Sequence, residues 1–196
     1  LAGWDAWACG IAPGLWLEPR MVPLATEVLQ ICYATFFFWP VVLGLLLCRH
    51  RDLVGLEHCW FALTLCFYLS YLGYIAFPAL GPRFFLASEF RLPLEGVWCF
   101  TALHDWINRA ELIKRDCCPS GHTMMSLLYV YLAARHLPRL LWILAPVTAG
   151  ILAATLYLRY HYLADLVAGA AGTLVVILVL GRVFPVRDPA TLQREA

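Results

Sequence analysis

Two histidines and one aspartate stand in two short segments whose residue types suit phosphoryl transfer: Pro119-Ser120-Gly121-His122-Thr123 and Arg159-Tyr160-His161-Tyr162-Leu163-Ala164-Asp165. His161 and Asp165 are four apart, so on a helix beginning near His161 they share one face. A carboxylate placed there accepts the Nδ1 proton, fixes the tautomer and leaves Nε2 with a free lone pair, which makes the ring a nucleophile. It also stabilises the positive charge that grows on the ring as a phospho-histidine forms. In the first segment, Pro119 is pre-set for a helix start, and Ser120 and Gly121 let backbone N–H groups approach an anion at the positive end of the helix dipole. His122 is then placed to protonate a leaving oxygen, a contribution of roughly 10²- to 10⁴-fold. Arg83, in Pro78-Ala79-Leu80-Gly81-Pro82-Arg83, offers a guanidinium fork that matches phosphate oxygens, and Arg159 is a second candidate cation. The catalytic set expected is His122, His161 and Asp165, with Arg83, Ser120, Gly121 and Arg159 as phosphate ligands.

The elements that carry these residues must sit in lipid. Of 196 residues, 62% are hydrophobic and 14% charged, too apolar for a watery shell. A bilayer core about 30 Å thick takes roughly 20 apolar residues per helical span. Five such stretches are legible, at about 24–48, 57–80, 119–136, 140–158 and 162–183. The reading is a single all-α, polytopic membrane domain over 1–196. Residues 1–20 form an interfacial segment rich in Trp, Pro and Gly, without the basic start and apolar middle of a signal peptide. The long connection 81–118 lies at the site face and contains an amphipathic surface helix over 98–113.

With five alternating spans, the end of the second, the start of the third, the end of the fourth and the start of the fifth meet one membrane face. Both histidine segments and Arg83 therefore converge. Lys and Arg split seven and seven between the faces, but the short loops 49–52 and 135–139 concentrate theirs, which places the site on the extracytoplasmic or lumenal side.

A net charge of +1 gives no electrostatic case for nucleic-acid binding. Cys32, Cys48, Cys59 and Cys66 sit within spans and read as packing. Cys9, Cys99, Cys117 and Cys118 lie outside them and are free to pair on an oxidising side, in a pattern the spacing does not choose. No His and Cys spacing fits a zinc site, and no metal or cofactor is expected. Glu27 reads as a helix-start charge, and His50, His58 and His136 as interfacial. His104-Asp105 reads as a solvated loop pair, with a second acid–base pair as the sharper alternative.

Pro119-Ser120-Gly121-His122 followed by His161 and Asp165 resembles the second and third motifs of the type 2 phosphatidic acid phosphatase superfamily, over about 78–169. The resemblance implies a six-helix bundle that hydrolyses or transfers lipid phosphates without metal, and hence one more span before Leu1. The family's first-motif lysine position holds Ala76, its arginine–proline order is reversed as Pro82-Arg83, and its third-motif arginine position holds Thr155. This reduced cation set is similar to the inositol phosphorylceramide and sphingomyelin synthase branch. The expected function is a metal-independent lipid phosphatase or phosphotransferase acting through phospho-His161. The alternatives are a sphingolipid-type headgroup transferase and, from another class, a non-catalytic carrier of anionic lipids. The expected partners are the lipid phosphate and the surrounding membrane lipids.

Overall fold

Residues 1–110 and 114–184 are described by a computed structural model. Among them the chain is helical, with no strand beyond an isolated bridge between Ala79 and Asp116. The elements are α1 (Ala2–Cys9), α2 (Pro13–Leu17), a 3₁₀ turn (Glu18–Arg20), α3 (Pro23–Thr35), a second 3₁₀ turn (Phe36–Phe38), α4 (Trp39–Arg49) and α5 (Leu53–Ala76). There follow α6 (Pro82–Phe85), α7 (Phe100–Ala110), α8 (Gly121–His136), α9 (Leu141–Tyr157) and α10 (Leu163–Val183).

Three helical stretches are long and apolar enough to cross a membrane: Pro23–Arg49, Leu53–Ala76 and Leu163–Val183, with Leu141–Tyr157 as a shorter apolar helix. The first is continuous from α3 through α4 but tightens into a 3₁₀ turn at its middle. Pro40, which has no N–H to close the helical ladder, accounts for this. The third expected span is α8, and it differs from the others. It is 16 residues long and carries Ser126, Thr123 and His122, because it runs through the centre of the bundle against α5, α9 and α10. Its neighbours meet the lipid in its place, so its surface need not be apolar.

The core follows from this arrangement. Leu43, Cys66, Leu144 and Val176 share one buried cluster with Leu128 and Leu132 of α8. A second cluster joins α3, α7 and α9 through Tyr33, Ile107, Ala154 and Leu158. Outward-facing apolar residues such as Ile75 and Leu72 on α5 are the lipid surface, and Trp7 and Trp142 stand exposed.

Close packing at the site end of α8 depends on two glycines. A Cβ on Gly169 of α10 would lie 2.7 Å from the Ser120 carbonyl oxygen, and one on Gly73 of α5 would strike the Pro119 ring. Thr173 Oγ1 of α10 donates to the Met124 carbonyl at 3.0 Å, joining the same two helices. The expected surface helix over 98–113 is present as α7, and residues 111–113 lie outside the described residues. All eight cysteines are free thiols.

Three buried carboxylates from the first 27 residues fasten the long connection and the start of α10. Asp5 accepts the Leu163 and Ala164 N–H groups, both at 2.9 Å, and so caps the first turn of α10 from outside. Glu18 accepts Arg91 and Leu92 N–H at 2.8 and 2.9 Å. Glu27 accepts the N–H groups of Val97, Trp98, Cys99 and Phe100 and the Cys99 thiol. The helix-start reading of Glu27 is thereby corrected. Its carboxylate lies beneath the loop and gathers the N–H groups at the start of α7, where a fixed anion suits the local dipoles.

Candidate active site

The peptide between α9 and α10 makes the sharp turn that presents His161. Tyr160 and His161 N–H both donate to the Thr155 carbonyl at 2.9 Å, and Arg159 takes a left-handed φ of 65°. Glycine is the usual occupant of such a position after a helix. Arg159 is held there by Glu18, 3.1 Å from its Nη2, by the Leu92 carbonyl at 2.9 Å, and by the Phe90 ring 4.0 Å below its guanidinium. Arg159 is thus committed to pinning the loop and is not brought into the cavity between the histidines. It lines the larger groove on the loop side instead.

His161 precedes α10, which starts at Leu163 with Tyr162 as its N-cap. Its closeness to Asp165 therefore comes from a capping turn rather than from a shared helix face. Asp165 Oδ2 accepts the Tyr162 N–H at 2.9 Å and the Cys117 thiol at 2.7 Å, and lies 3.5 Å from His161 Nδ1. The nearer partner of Nδ1 is the Cys117 carbonyl oxygen at 3.0 Å. A carbonyl only accepts, so Nδ1 carries the proton and Nε2 keeps its lone pair. The backbone of Cys117 is the main support of this tautomer, and the Asp165 carboxylate lies behind the ring.

His122, second residue of α8, is sandwiched between Tyr33 and Phe36 at ring-centroid distances of 4.3 and 4.2 Å. The Tyr33 hydroxyl lies 3.3 Å from its Nδ1, and its buried Nε2 meets no hydrogen-bond partner among the described residues. The centroids of the His122 and His161 rings are 5.8 Å apart. Between them is a small cavity of about 50 Å³, lined also by Arg83, Lys114, Asp116 and Cys117. Burial pushes the Asp116 carboxyl above the ordinary carboxylate range, although His161 and Arg83 oppose the shift.

Arg83 reaches this cavity from α6. Its guanidinium lies 4.7 Å above the Tyr160 ring and donates to Asn108 Oδ1 at 2.7 Å. Ser120 is placed differently from expectation. Its hydroxyl accepts the Thr123 N–H at 3.2 Å as the N-cap of α8, its own N–H donates to the Asp165 carbonyl at 3.0 Å, and it is fully buried. It joins the two motifs and does not line the cavity. Gly121 lies beneath the Tyr74 hydroxyl and faces a different space. His104, half-buried, is bonded at Nδ1 to the Tyr160 hydroxyl at 2.9 Å, while Asp105 is exposed, so they do not act as a pair. Burial, helped by Arg83, lowers the His104 pKa.

Two larger spaces adjoin the cavity. An apolar groove of about 510 Å³ opens between α4 and α5, lined by residues such as Trp60, Phe67, Tyr71 and Met125, and ends at His122. A groove of about 890 Å³ on the loop side carries Arg83, Arg91 and Lys114 beside Phe84 and Phe90. Lys114, Cys117 and Tyr33 were not singled out as site residues from sequence. The position of Cys117 two residues before Pro119 is the only local signal, and Lys114 and Tyr33 have none.

These parts, a central α8 opening on Pro-Ser-Gly-His and an apposed histidine before α10, set two imidazoles across one small cavity. The sequence matches the PAP2 superfamily over residues 1–179, and the chain belongs to that superfamily. It is similar to a PA-phosphatase related-family protein of Dictyostelium discoideum, 24% identical over 178 residues that take in 81% of this chain. The chain spans about a third, 32%, of that relative's length. No solved structure matches significantly. Membership supports a phosphatase-type function for this integral membrane chain.

Proposed function

We propose that the chain is a metal-independent lipid phosphatase or phosphotransferase that works through a phospho-histidine on His161. The observation that carries this is the apposition of His122 and His161 across one cavity into which Arg83 and Lys114 also project. His161 Nε2 attacks phosphorus, and the bond to the leaving oxygen breaks. His122 Nε2 delivers the proton that the leaving alkoxide needs. Asp165 stabilises the charge that then rests on the phosphorylated ring. In the second half, His122 takes a proton from water or from an acceptor alcohol, whose oxygen attacks phosphorus and frees His161. Arg83 and Lys114 supply the positive charge that the equatorial oxygens require.

The flanking grooves fit an amphiphile. Tails enter from the bilayer between α4 and α5, and polar groups lie on the loop side, which is the extracytoplasmic or lumenal face. The transferase form, of the sphingolipid-headgroup type, is favoured by one feature: the loop-side groove is far larger than a phosphate needs.

The test is incubation of purified protein with a panel of lipid phosphates, with and without diacylglycerol and ceramide, reading products by mass. Free phosphate identifies a phosphatase, and transfer of an intact headgroup identifies a synthase. A folded protein that turns over none of them, or whose His161→Ala variant keeps full activity, overturns the reading.

A further inference from the structure

We infer that Cys117, His161 and Asp165 form a binding site for a thiophilic divalent ion of the zinc class, and that its occupation shuts the nucleophile off. The three side chains are buried, and one donor atom of each lies within 4.8 Å of the others. Cys117 Sγ is 3.5 Å from His161 Nδ1 and 2.7 Å from Asp165 Oδ2, and those two are 3.5 Å apart. Tetrahedral zinc with bonds of about 2.0–2.3 Å separates its ligands by roughly 3.3–3.7 Å. Two of the three edges already have that length. The third opens when the thiol proton that now bridges sulfur and carboxylate is replaced by the ion.

A second, separate feature points to a ligand at the same place. Asp165 is fully buried and no hydrogen bond within normal geometry reaches its Oδ1 among the described residues, although the Cys118 thiol also lies against the carboxylate. A buried carboxylate oxygen left in this state favours a cation, and zinc accepts carboxylate alongside thiolate and imidazole. A path exists, since Cys117 and His161 line the small cavity together with Asp116.

Proton accounting explains the inhibition. The ion displaces the Cys117 proton to solvent, and the His161 proton now donated from Nδ1 to the Cys117 carbonyl shifts to Nε2, which frees the Nδ1 lone pair for the ion. A neutral imidazole has one proton, which then resides on Nε2. The lone pair that would attack phosphorus is gone, without any redox change. Because the thiol proton leaves when the ion binds, affinity weakens as pH falls.

The inhibitory half rests on the reading of His161 as nucleophile; the binding half does not. The experiment titrates purified protein with Cd²⁺, following thiolate-to-metal charge-transfer absorption, and with Zn²⁺, following lipid phosphate turnover. The expected result is one high-affinity equivalent whose occupancy matches the loss of rate. In Cys117→Ser, normalised to its own metal-free rate, the inhibition constant rises by more than about tenfold and the absorption band is lost. Cys48→Ser, at the opposite face, behaves as the parent. Thermal melts confirm that each variant is folded, and Cys117→Ala serves if the serine variant is not. A band unchanged in folded Cys117 variants overturns the site. A Cys117-dependent band with undiminished turnover overturns the block, and if His161→Ala is then equally active, the nucleophile assignment is what failed.

Discussion

Substituting alanine for Gly169 tests whether contact between α8 and α10 sets the geometry of the site. The added Cβ would lie 2.7 Å from the Ser120 carbonyl oxygen and 3.0 Å from Thr123 Cβ. The first is about 0.7 Å short of ordinary van der Waals contact, and it involves backbone that cannot rotate away. Ser120 N–H donates to the Asp165 carbonyl, so separation here moves the Pro-Ser-Gly-His turn away from the segment bearing His161. Overpacking of this size costs about 1–3 kcal/mol. A misplacement approaching 1 Å costs up to about 10²-fold in rate, so kcat should fall roughly ten- to hundredfold. The assay pairs kcat for lipid phosphate turnover with the melting temperature in detergent. Gly181→Ala, where nothing lies within 4 Å, is the control and leaves both unchanged. A Gly169→Ala enzyme with parental kcat and melting temperature would refute the reasoning.

Asp165→Asn should lower kcat by roughly 10²-fold with little change in KM, less than in a triad whose acid alone fixes the tautomer. The Cys117 carbonyl continues to hold Nδ1, and a 10⁴-fold loss would show that it does not. Burial would raise the Glu18 pKa, but the Leu92 and Arg91 N–H groups and the Arg159 guanidinium offset this and hold it below the ordinary 4.5. Its stabilisation is therefore complete above that value and lost as pH falls through the lower folded-state pKa. Melting temperature should drop in that acidic window less steeply for Glu18→Gln than for the parent, and parallel curves would count against the pinning role. Asp52, which caps α5 through Gly55 N–H at 2.8 Å and meets His136 Nδ1 at 2.9 Å, should cost about 1–2 kcal/mol as alanine, with kcat retained. EDTA in metal-free buffer should leave the rate unchanged, and a fall would argue for a resident metal.

The parts of this protein that were legible in its sequence are those coded by local spacing. Apolar stretches marked α3 with α4, α5, α9 and α10 to within a few residues, and Pro119 to His122 marked the start of α8. The four-residue interval from His161 to Asp165 located the second half of the site, although the capping turn that joins them reads as helix in the sequence. What escaped was coded across the chain. Asp5, Glu18 and Glu27 act on backbone N–H groups 70 to 159 residues away, and no side-chain pattern announces a backbone partner. The pinning of Arg159 was hidden for the same reason, since Glu18 lies 141 residues before it. The central position of α8 was also hidden, because a helix wrapped by others shows neither the continuous apolarity of a lipid-facing span nor a polar face.

The central claim is tested most directly by rapid acid-free quenching of the purified protein during turnover of a lipid carrying radiolabelled phosphorus, followed by peptide mapping. The account predicts alkali-stable, acid-labile label on the peptide containing His161, formed and discharged at the rate of turnover and absent from His161→Ala. Product forming with no protein-bound label on that timescale, or label on any other residue, would contradict it.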